Sequence, residues 1–514
     1  MHCTATREES DRPRRTTAVE RRTFLKTGVT AAAGSALGLR RSLSARPARP
    51  NLIVIMSDEQ RWDTIGADGC PWMVTPHLDR LAREGVVFSN AYCASPVCVG
   101  SRAAFHNGLY PPGAAIYTNG DRWDGSREWM WSLRQSGYYC AAIGKNHYVP
   151  FESRACAWHE RVIVENKNGV RTFKDDWDRF LEPRGIPRPV KRYERIGRRE
   201  FRERFGAHTW EWEPETHSDF FVGNRAVEWI KKYKRREPFL LWVGFPGPHT
   251  PIDPVKKYAD LYLSRRLPQT VGSREELDRK PWEQRKQFDY WHIDDNDDGI
   301  WLSDATPEKI ARLRGHYYGN ITMIDEKIGE MLAALEQKDV VDNTIVVFTS
   351  DHGNMLVDHA LFVKWSAYEA SIRVPLLVWC PRAFPGGRST ARLTQTFDVV
   401  PALLMEAQAR IPEGRHWQGC ARFLRAQGDP EPERKYVFAM VGQSQQCPST
   451  FAVVRSRHFK YVYYYDSESR ELYDLRNDPN ELVNLASDKK YEATRAEYEE
   501  ARRRWAASKG AWQG

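Results

Sequence analysis

Four short stretches of the chain are apolar without alternation, and each runs into a polar cluster. Residues 51–56 lead into Ser57, Asp58 and Glu59, and residues 139–143 into Gly144, Lys145, Asn146 and His147. Residues 239–243 lead to Pro248, His249, Thr250 and Pro251, and residues 344–348 to Ser350, Asp351, His352 and Gly353. Continuous apolar runs suit strands buried on both faces, since a strand with one wet face would alternate. Between them, residues 307–338 place Ile310, Leu313, Tyr317, Ile321, Ile324, Ile328, Met331 and Leu335 three or four apart, which predicts a long helix. Shorter helices are predicted over 75–84 and 218–234. The alternation predicts an α/β fold, a large mainly parallel sheet sandwiched by helices. Ligands of such sheets bind beyond the carboxyl ends of the strands, so the four clusters are expected to converge on one cleft.

Residues 151–215 and 265–305 show little period and are rich in charge, Trp, Pro and Arg, so they are read as loop-like inserts at a pocket rim or on the surface. From about residue 410 the pattern changes. Residues 449–455, 459–465 and 471–475 read as short antiparallel strands, followed by a helix near 490–507. This predicts a smaller C-terminal α+β subdomain, an antiparallel sheet plus a helix. The 514 residues exceed what one core usually organises. The expected division is an export signal and linker over 1–45, a catalytic domain over 50–410 and the subdomain over 411–514.

Charge adds an address. The net charge of +9 would suit nucleic acid, but residues 1–50 carry seven of those charges and the remainder is near neutral. No zinc-finger spacing or aromatic-basic ladder accompanies them, so no nucleic-acid partner is expected. Arg21, Arg22, Thr23, Phe24, Leu25 and Lys26 followed by the small apolar run 27–39 instead resemble a twin-arginine export signal. That implies the twin-arginine translocon as a partner and a periplasmic or secreted bacterial protein. No mature stretch is long enough to span a membrane. Nine cysteines are an odd set for such a compartment; one or two disulfides are compatible with them, and none shows paired zinc-ligand spacing.

Candidate chemistry begins with the acids. Asp58, Glu59 and Asp351, from two strand ends, supply oxygens suited to one hard divalent cation, and calcium tolerates an irregular carboxylate cage better than magnesium. In residues 93–105 a loop runs into a short helix. Cys98 falls at its N-terminus, where the backbone favours an anion, and Arg102 lies one turn further on the same face. Singly, such acids are usually solvated surface and such a cysteine a small buried apolar group.

Together the segments are more specific. Residues 51–61, 98–110, 144–147, 248–251, 350–353 and 364–375 resemble, in order and spacing, the signature blocks of the type I sulfatases of the alkaline phosphatase superfamily, and 471–479 is similar to a block of their C-terminal subdomain. The resemblance implies that Cys98 is oxidised to formylglycine by a formylglycine-generating enzyme. It implies one calcium ion per chain held by Asp58, Glu59, Asp351, His352 and the converted side chain at Cys98. It places Arg102, Lys145 and His147 around the nucleophile, and His249 and Lys364 at the sulfate and the leaving oxygen. The implied reaction is hydrolysis of a sulfate ester of a sugar or small organic molecule through a covalent sulfo-enzyme, with His147 as base. Such a site needs concentrated positive charge, because a sulfate ester is already anionic.

Four positions depart from the family pattern. Gly100 stands where Pro or Ala is usual, an exchange expected to cost the helix start about 1 kcal/mol. Asn146 stands where an aromatic residue is common. Glu59 and His352 likewise replace the more usual Asp and Asn. His106, His316 and His359 match no block and are read as structural, while Tyr368 and Glu369 are expected to orient the Lys364 segment. Two alternatives remain: a phosphonate or phosphate ester hydrolase on the same scaffold, and a non-catalytic module binding sulfated ligands through an unconverted Cys98.

Overall fold

Every second residue of the first apolar run faces a different core. Leu52, Val54 and Met56 pack with Val99, Ala103, Phe105 and Trp242, while Ile53 and Ile55 pack with Ile324, Ile328, Met331 and Leu335 of the long helix. A strand sandwiched in this way has no polar face, which is why its sequence does not alternate. The computed structural model describes residues 49–508 apart from 166, 168–172, 189–196, 294–299, 383–385, 411–433, 445, 446 and 448. The segment expected to be an export signal lies outside the described residues. Residues 48–514 form one compact unit.

The strands in chain order are β1 (Asn51–Asp58), β2 (Val86–Phe88), β3 (Ala91–Tyr92), β4 (Tyr139–Gly144), β5 (Glu160–Ile163), β6 (Phe239–Pro248) and β7 (Thr344–Ser350). They continue with β8 (Leu376–Trp379), β9 (Arg388–Thr390), β10 (Thr394–Gln395), β11 (Val437–Val441), β12 (Phe451–Arg455), β13 (Phe459–Tyr464) and β14 (Arg470–Asp474). The large sheet runs β5-β4-β6-β1-β7-β8-β2-β9. All of its pairings are parallel except the two made by β8, so the sheet is mainly parallel as the apolar runs imply. The long helix spans Pro307–Gln337, opened by Thr306, whose side chain accepts from the Lys309 amide.

A second, antiparallel sheet runs β11-β12-β13-β14 and is backed by the Glu492–Ala507 helix. Trp505 of that helix stacks on Phe438 with ring centroids 4.9 Å apart, and Tyr110 beside them ties this layer to the main core. Strand β11 has no counterpart among the sequence expectations. Among the described residues no helix is long and apolar enough to cross a membrane. The described cysteines, Cys70, Cys93, Cys98, Cys140, Cys156, Cys380 and Cys447, are all buried, and none is bonded to another in a disulfide.

The stretches 151–215 and 265–305 depart from their expected loop character. They contain β5, helices at Asp176–Leu181 and Arg198–Arg204, and a twelve-residue helix at Trp282–Ile293. The last helix shows no apolar stripe because its buried face mixes Phe288 with the polar Glu283, Gln284 and Gln287. Gln284 donates to Glu471 and Tyr464, and Gln287 donates to the Lys364 carbonyl at 2.8 Å. Hydrogen-bonded burial leaves no hydrophobic period to read.

Candidate active site

The strand order β4-β6-β1-β7 sets the four polar clusters side by side. Ser57 is in register with Ser350, Asp58 with Pro248, and Gly144 with Gly244. At the β4 tip Gly144 has φ +92°, and a Cβ there would stand 2.0 Å from the Gly244 carbonyl oxygen, so only glycine permits this approach. Lys145 then donates its amide to Gly244 at 2.8 Å and turns its side chain into the cleft. Glu59 leaves β1 at φ 66°, a left-handed residue braced by its amide on Asp351 Oδ1 at 3.0 Å.

Cys98 is the first residue of the Cys98–Asn107 helix, which is buried along its whole length and closed by Gly108 in the left-handed region. A Cβ on Gly100 would meet Ser95 Oγ at 2.7 Å and Val97 Cγ1 at 3.1 Å. The buried Ser95 side chain therefore fills the space that a larger residue at position 100 would need. This packing is the local reason for glycine at that departure from the family pattern.

The residues assigned to the site from the sequence, Asp58, Glu59, Cys98, Arg102, Lys145, His147, His249, Asp351, His352 and Lys364, gather in this cleft. Cys98 Sγ is 3.7 Å from Asp58 Oδ1, 3.2 Å from His352 Nε2 and 3.2 Å from Lys364 Nζ. Arg102 reaches Asp351 Oδ2 at 2.9 Å, Asp58 Oδ2 at 3.1 Å and the Lys145 carbonyl at 2.9 Å. Lys145 Nζ lies 2.5 Å from Asp58 Oδ2. Lys364 Nζ lies 2.5 Å from Glu59 Oε1 and 2.9 Å from His249 Nε2. Asn354, which carries no prediction from the sequence, completes the cage by donating to Glu59 Oε2 at 3.0 Å. The site is nearly closed; the His249 side chain, 24% exposed, marks its mouth.

Three carboxylates and three basic side chains in one buried cleft set the proton states. Burial alone would raise the Asp58 carboxyl, but Lys145, His249 and Arg102 outweigh it and hold it well below the usual carboxylate range. Burial opposes the charge on Lys364, but Cys98, Glu59 and Asp58 outweigh it and raise its pKa. Burial, then Lys145 and Arg102, push the His147 imidazole well down, so it is neutral near pH 7. Burial and Asp58 push the Cys98 thiol up to about 12, so unmodified Cys98 is a poor nucleophile at neutral pH.

The donor set fits a divalent cation. Asp58, Cys98, Asp351 and His352 each offer one atom, all within 4.8 Å of one another and all buried; Asp58, Glu59 and His249 form an adjoining group. His352 faces the Gly353 carbonyl with Nδ1 at 2.9 Å, so the neutral ring carries its hydrogen there and leaves the Nε2 lone pair toward Cys98 Sγ. Carboxylates suit a hard cation, and the imidazole adds a borderline nitrogen donor.

The loop from His352 to Lys364 needs support, because Leu356, Val357, His359, Ala360 and Val363 all have positive φ. Asp358 supplies it, with carboxylate oxygens 2.7 Å from Arg61 Nη1 and 2.6 Å from Arg314 Nη2. His359 pairs with Glu276 and stacks on Tyr368 at 3.8 Å, while Glu369 pairs with Arg455; His106 pairs with Glu128, and His316 faces the Arg312 carbonyl. Burial would raise the Asp358 carboxyl, yet Arg61 and Arg314 lower it below its ordinary value. A depressed carboxylate stabilises the fold above its unfolded pKa near about 4 and loses that contribution as pH falls through the folded value. Asp358→Asn is therefore expected to cost about 3 kcal/mol at pH 7, with a gap to wild type that narrows toward pH 3, as read by denaturant unfolding.

The comparisons with known proteins agree with this architecture. The sulfatase family model matches residues 50–408, and the model described as N-sulphoglucosamine sulphohydrolase, C-terminal, matches residues 357–506. An arylsulfatase of Clostridium perfringens (strain 13 / Type A) is 28% identical over 472 residues, covering 86% of this chain and 91% of the relative. A choline-sulfatase of Rhizobium meliloti (strain 1021) is 28% identical over 452 residues, covering 85% and 82%. Among solved structures, the phosphonate monoester hydrolase of Agrobacterium radiobacter shares the fold at a TM-score of 0.75 with 24% identity, covering 90% of this chain and 96% of that one. With a family model spanning most of its length and the fold to match, the chain belongs to the sulfatases and is an enzyme.

Proposed function

We propose that this enzyme hydrolyses the sulfate ester of a sugar or small organic molecule, with Cys98 oxidised to formylglycine and one calcium ion beside it. The observation that carries the reading is the position of Cys98 Sγ, within 3.2 Å of both His352 Nε2 and Lys364 Nζ and next to Asp58. The arylsulfatase and choline-sulfatase relatives support the sulfate ester. Asp58, Glu59, Asp351 and His352 would hold the calcium together with the converted side chain at position 98. When bound, the ion supplies positive charge to the ester oxygens, and the hydrated aldehyde supplies a hydroxyl nucleophile.

The chain's own residues do the rest. Arg102 bridges Asp58 and Asp351 and keeps both oriented. Lys145 and Lys364 add fixed positive charge where negative charge grows on the sulfuryl oxygens. His249 faces the Thr250 carbonyl with Nδ1 and Lys364 with Nε2, so the pair can deliver a proton to the departing alcohol. His147 is neutral, and its Nδ1 has no hydrogen-bond partner among the described residues, which suits a base that takes a proton from the side chain at position 98. Export through the twin-arginine translocon to the periplasm or beyond, and maturation by a formylglycine-generating enzyme, belong to the same proposal. So does the division into a catalytic domain over 50–410 and a subdomain over 411–514.

Turnover of an aryl sulfate against an aryl phosphonate monoester tests the reading, and the sulfate is expected to be the better substrate. The fold shared with a phosphonate monoester hydrolase favours a second reading on the same scaffold, which faster phosphonate turnover would establish. Mass spectrometry of the Cys98 peptide decides whether conversion occurs. A loss of about 18 Da is expected from thiol to aldehyde. An unchanged thiol in protein matured in its own host would leave only a binding role.

A further inference from the structure

The turn that carries His249 has prolines at 246, 248, 251 and 254, and so offers few amides by which neighbouring backbone might hold it. The amides of His208 and Trp210 hold its far end at the Ile252 and Pro254 carbonyls, and buried side chains hold the part around His249. Lys167 Nζ donates to the Pro251 carbonyl at 3.2 Å, to Asp253 Oδ1 at 3.0 Å and to Asn320 Oδ1 at 2.8 Å, with its side chain only 1% exposed. Asp219 accepts from the Gly247 amide at 2.8 Å and from Asn320 Nδ2 at 2.9 Å. His217 closes the network: its Nδ1 accepts from the Asp219 amide, and its Nε2 faces Asp253 Oδ1 at 3.3 Å. The turn is thus pinned at Gly247 before the histidine and at Pro251 after it.

Glu165, two residues before Lys167 in the chain and also buried, acts on the other histidine. Its Oε2 accepts the His147 amide at 2.8 Å. His147 has φ 65°, a conformation that a non-glycine residue keeps only when its surroundings impose it. Burying a lysine and a glutamate costs several kcal/mol of solvation that an apolar filler would avoid. Here both buried side chains bond to the backbone that carries His147 and His249.

We infer that Glu165 and Lys167 are positioning residues that hold His147 and His249 in register across the site from a single short segment. The inference rests on the reading of those histidines as proton carriers in sulfate ester hydrolysis. It adds to that reading the element that fixes their separation.

The test uses the full-length, matured enzyme. Lys167→Met takes the ammonium from beside buried Asp253 and Asp219, so it loses thermal stability as well as activity; adding Asp253→Asn removes part of the negative charge there. The double variant is expected to regain most of the lost melting temperature. Its kcat on an aryl sulfate stays roughly 10- to 100-fold below wild type, with KM changed by less than about threefold. Glu165→Gln keeps an acceptor for the His147 amide and retains kcat, whereas Glu165→Ala loses it. Histidine ring NMR gives a readout independent of turnover: Glu165→Ala moves the His147 signals, and the double variant moves those of His249. Recovery of kcat in step with melting temperature, or unmoved ring signals in folded variants, overturns the inference. A wild-type enzyme inactive on every sulfate ester would instead defeat the functional reading, and the ring signals would still decide the positioning role.

Discussion

Cys98→Ala is expected to abolish turnover of any sulfate ester, by roughly 10⁵-fold or more, while leaving the fold intact. The loss is large because the side chain at position 98 is the one group at the centre of the cleft that can carry a nucleophile. Lys364, His352 and Asp58 surround it, and each is already committed to another partner. The fold survives because removing one sulfur opens only a small cavity at a helix start, worth about 1 to 2 kcal/mol. Arg102 still ties Asp58 to Asp351. Steady-state kinetics beside a thermal unfolding curve check both halves. A folded variant with appreciable activity would remove Cys98 from the nucleophile's role.

Stringent chelation is expected to bring activity to background, and added calcium to restore it. Without a dication, three carboxylates converge in a buried cleft opposite Arg102, Lys145 and Lys364. Those cations keep the cluster from flying apart, so the chelated protein should remain folded. Its stability falls with the ion, because a ligand present at about 100 times its Kd stabilises the native state by about 2.7 kcal/mol. Calorimetry with and without calcium measures that shift independently of turnover. Full activity after stringent chelation would exclude the carboxylate cage from the chemistry.

The strand-end clusters were legible because buried parallel strands leave an unmistakable apolar run, and Asp58, Lys145, His249 and Asp351 each follow one. Cys98 and Arg102 were legible as one turn of a helix. Asn354 was not, since it lies in a loop with neither period nor motif, and only its contact with Glu59 gives it a function. The Trp282–Ile293 helix was missed for a related reason. Its buried face carries Gln284 and Gln287, whose partners come from the tail and from the Lys364 loop. Lys167 and Glu165 look like ordinary surface charge in the sequence; burial alone distinguishes them.

Local pattern is enough to specify that this chain builds strands ending in acids, histidines and lysines, because apolar periodicity and the residue types at strand ends are local properties. It also specifies the order of the family's signature blocks. What it leaves open is which strand lies beside which, since strands far apart in the chain can pair in many orders. The tertiary structure decides the sequence β4-β6-β1-β7, and with it the meeting of Asp58, Lys145, His249 and Asp351 around Cys98. It also decides that Glu165 and Lys167 are buried beneath the two histidines, since desolvation and hydrogen bonding depend on neighbours that no local window contains.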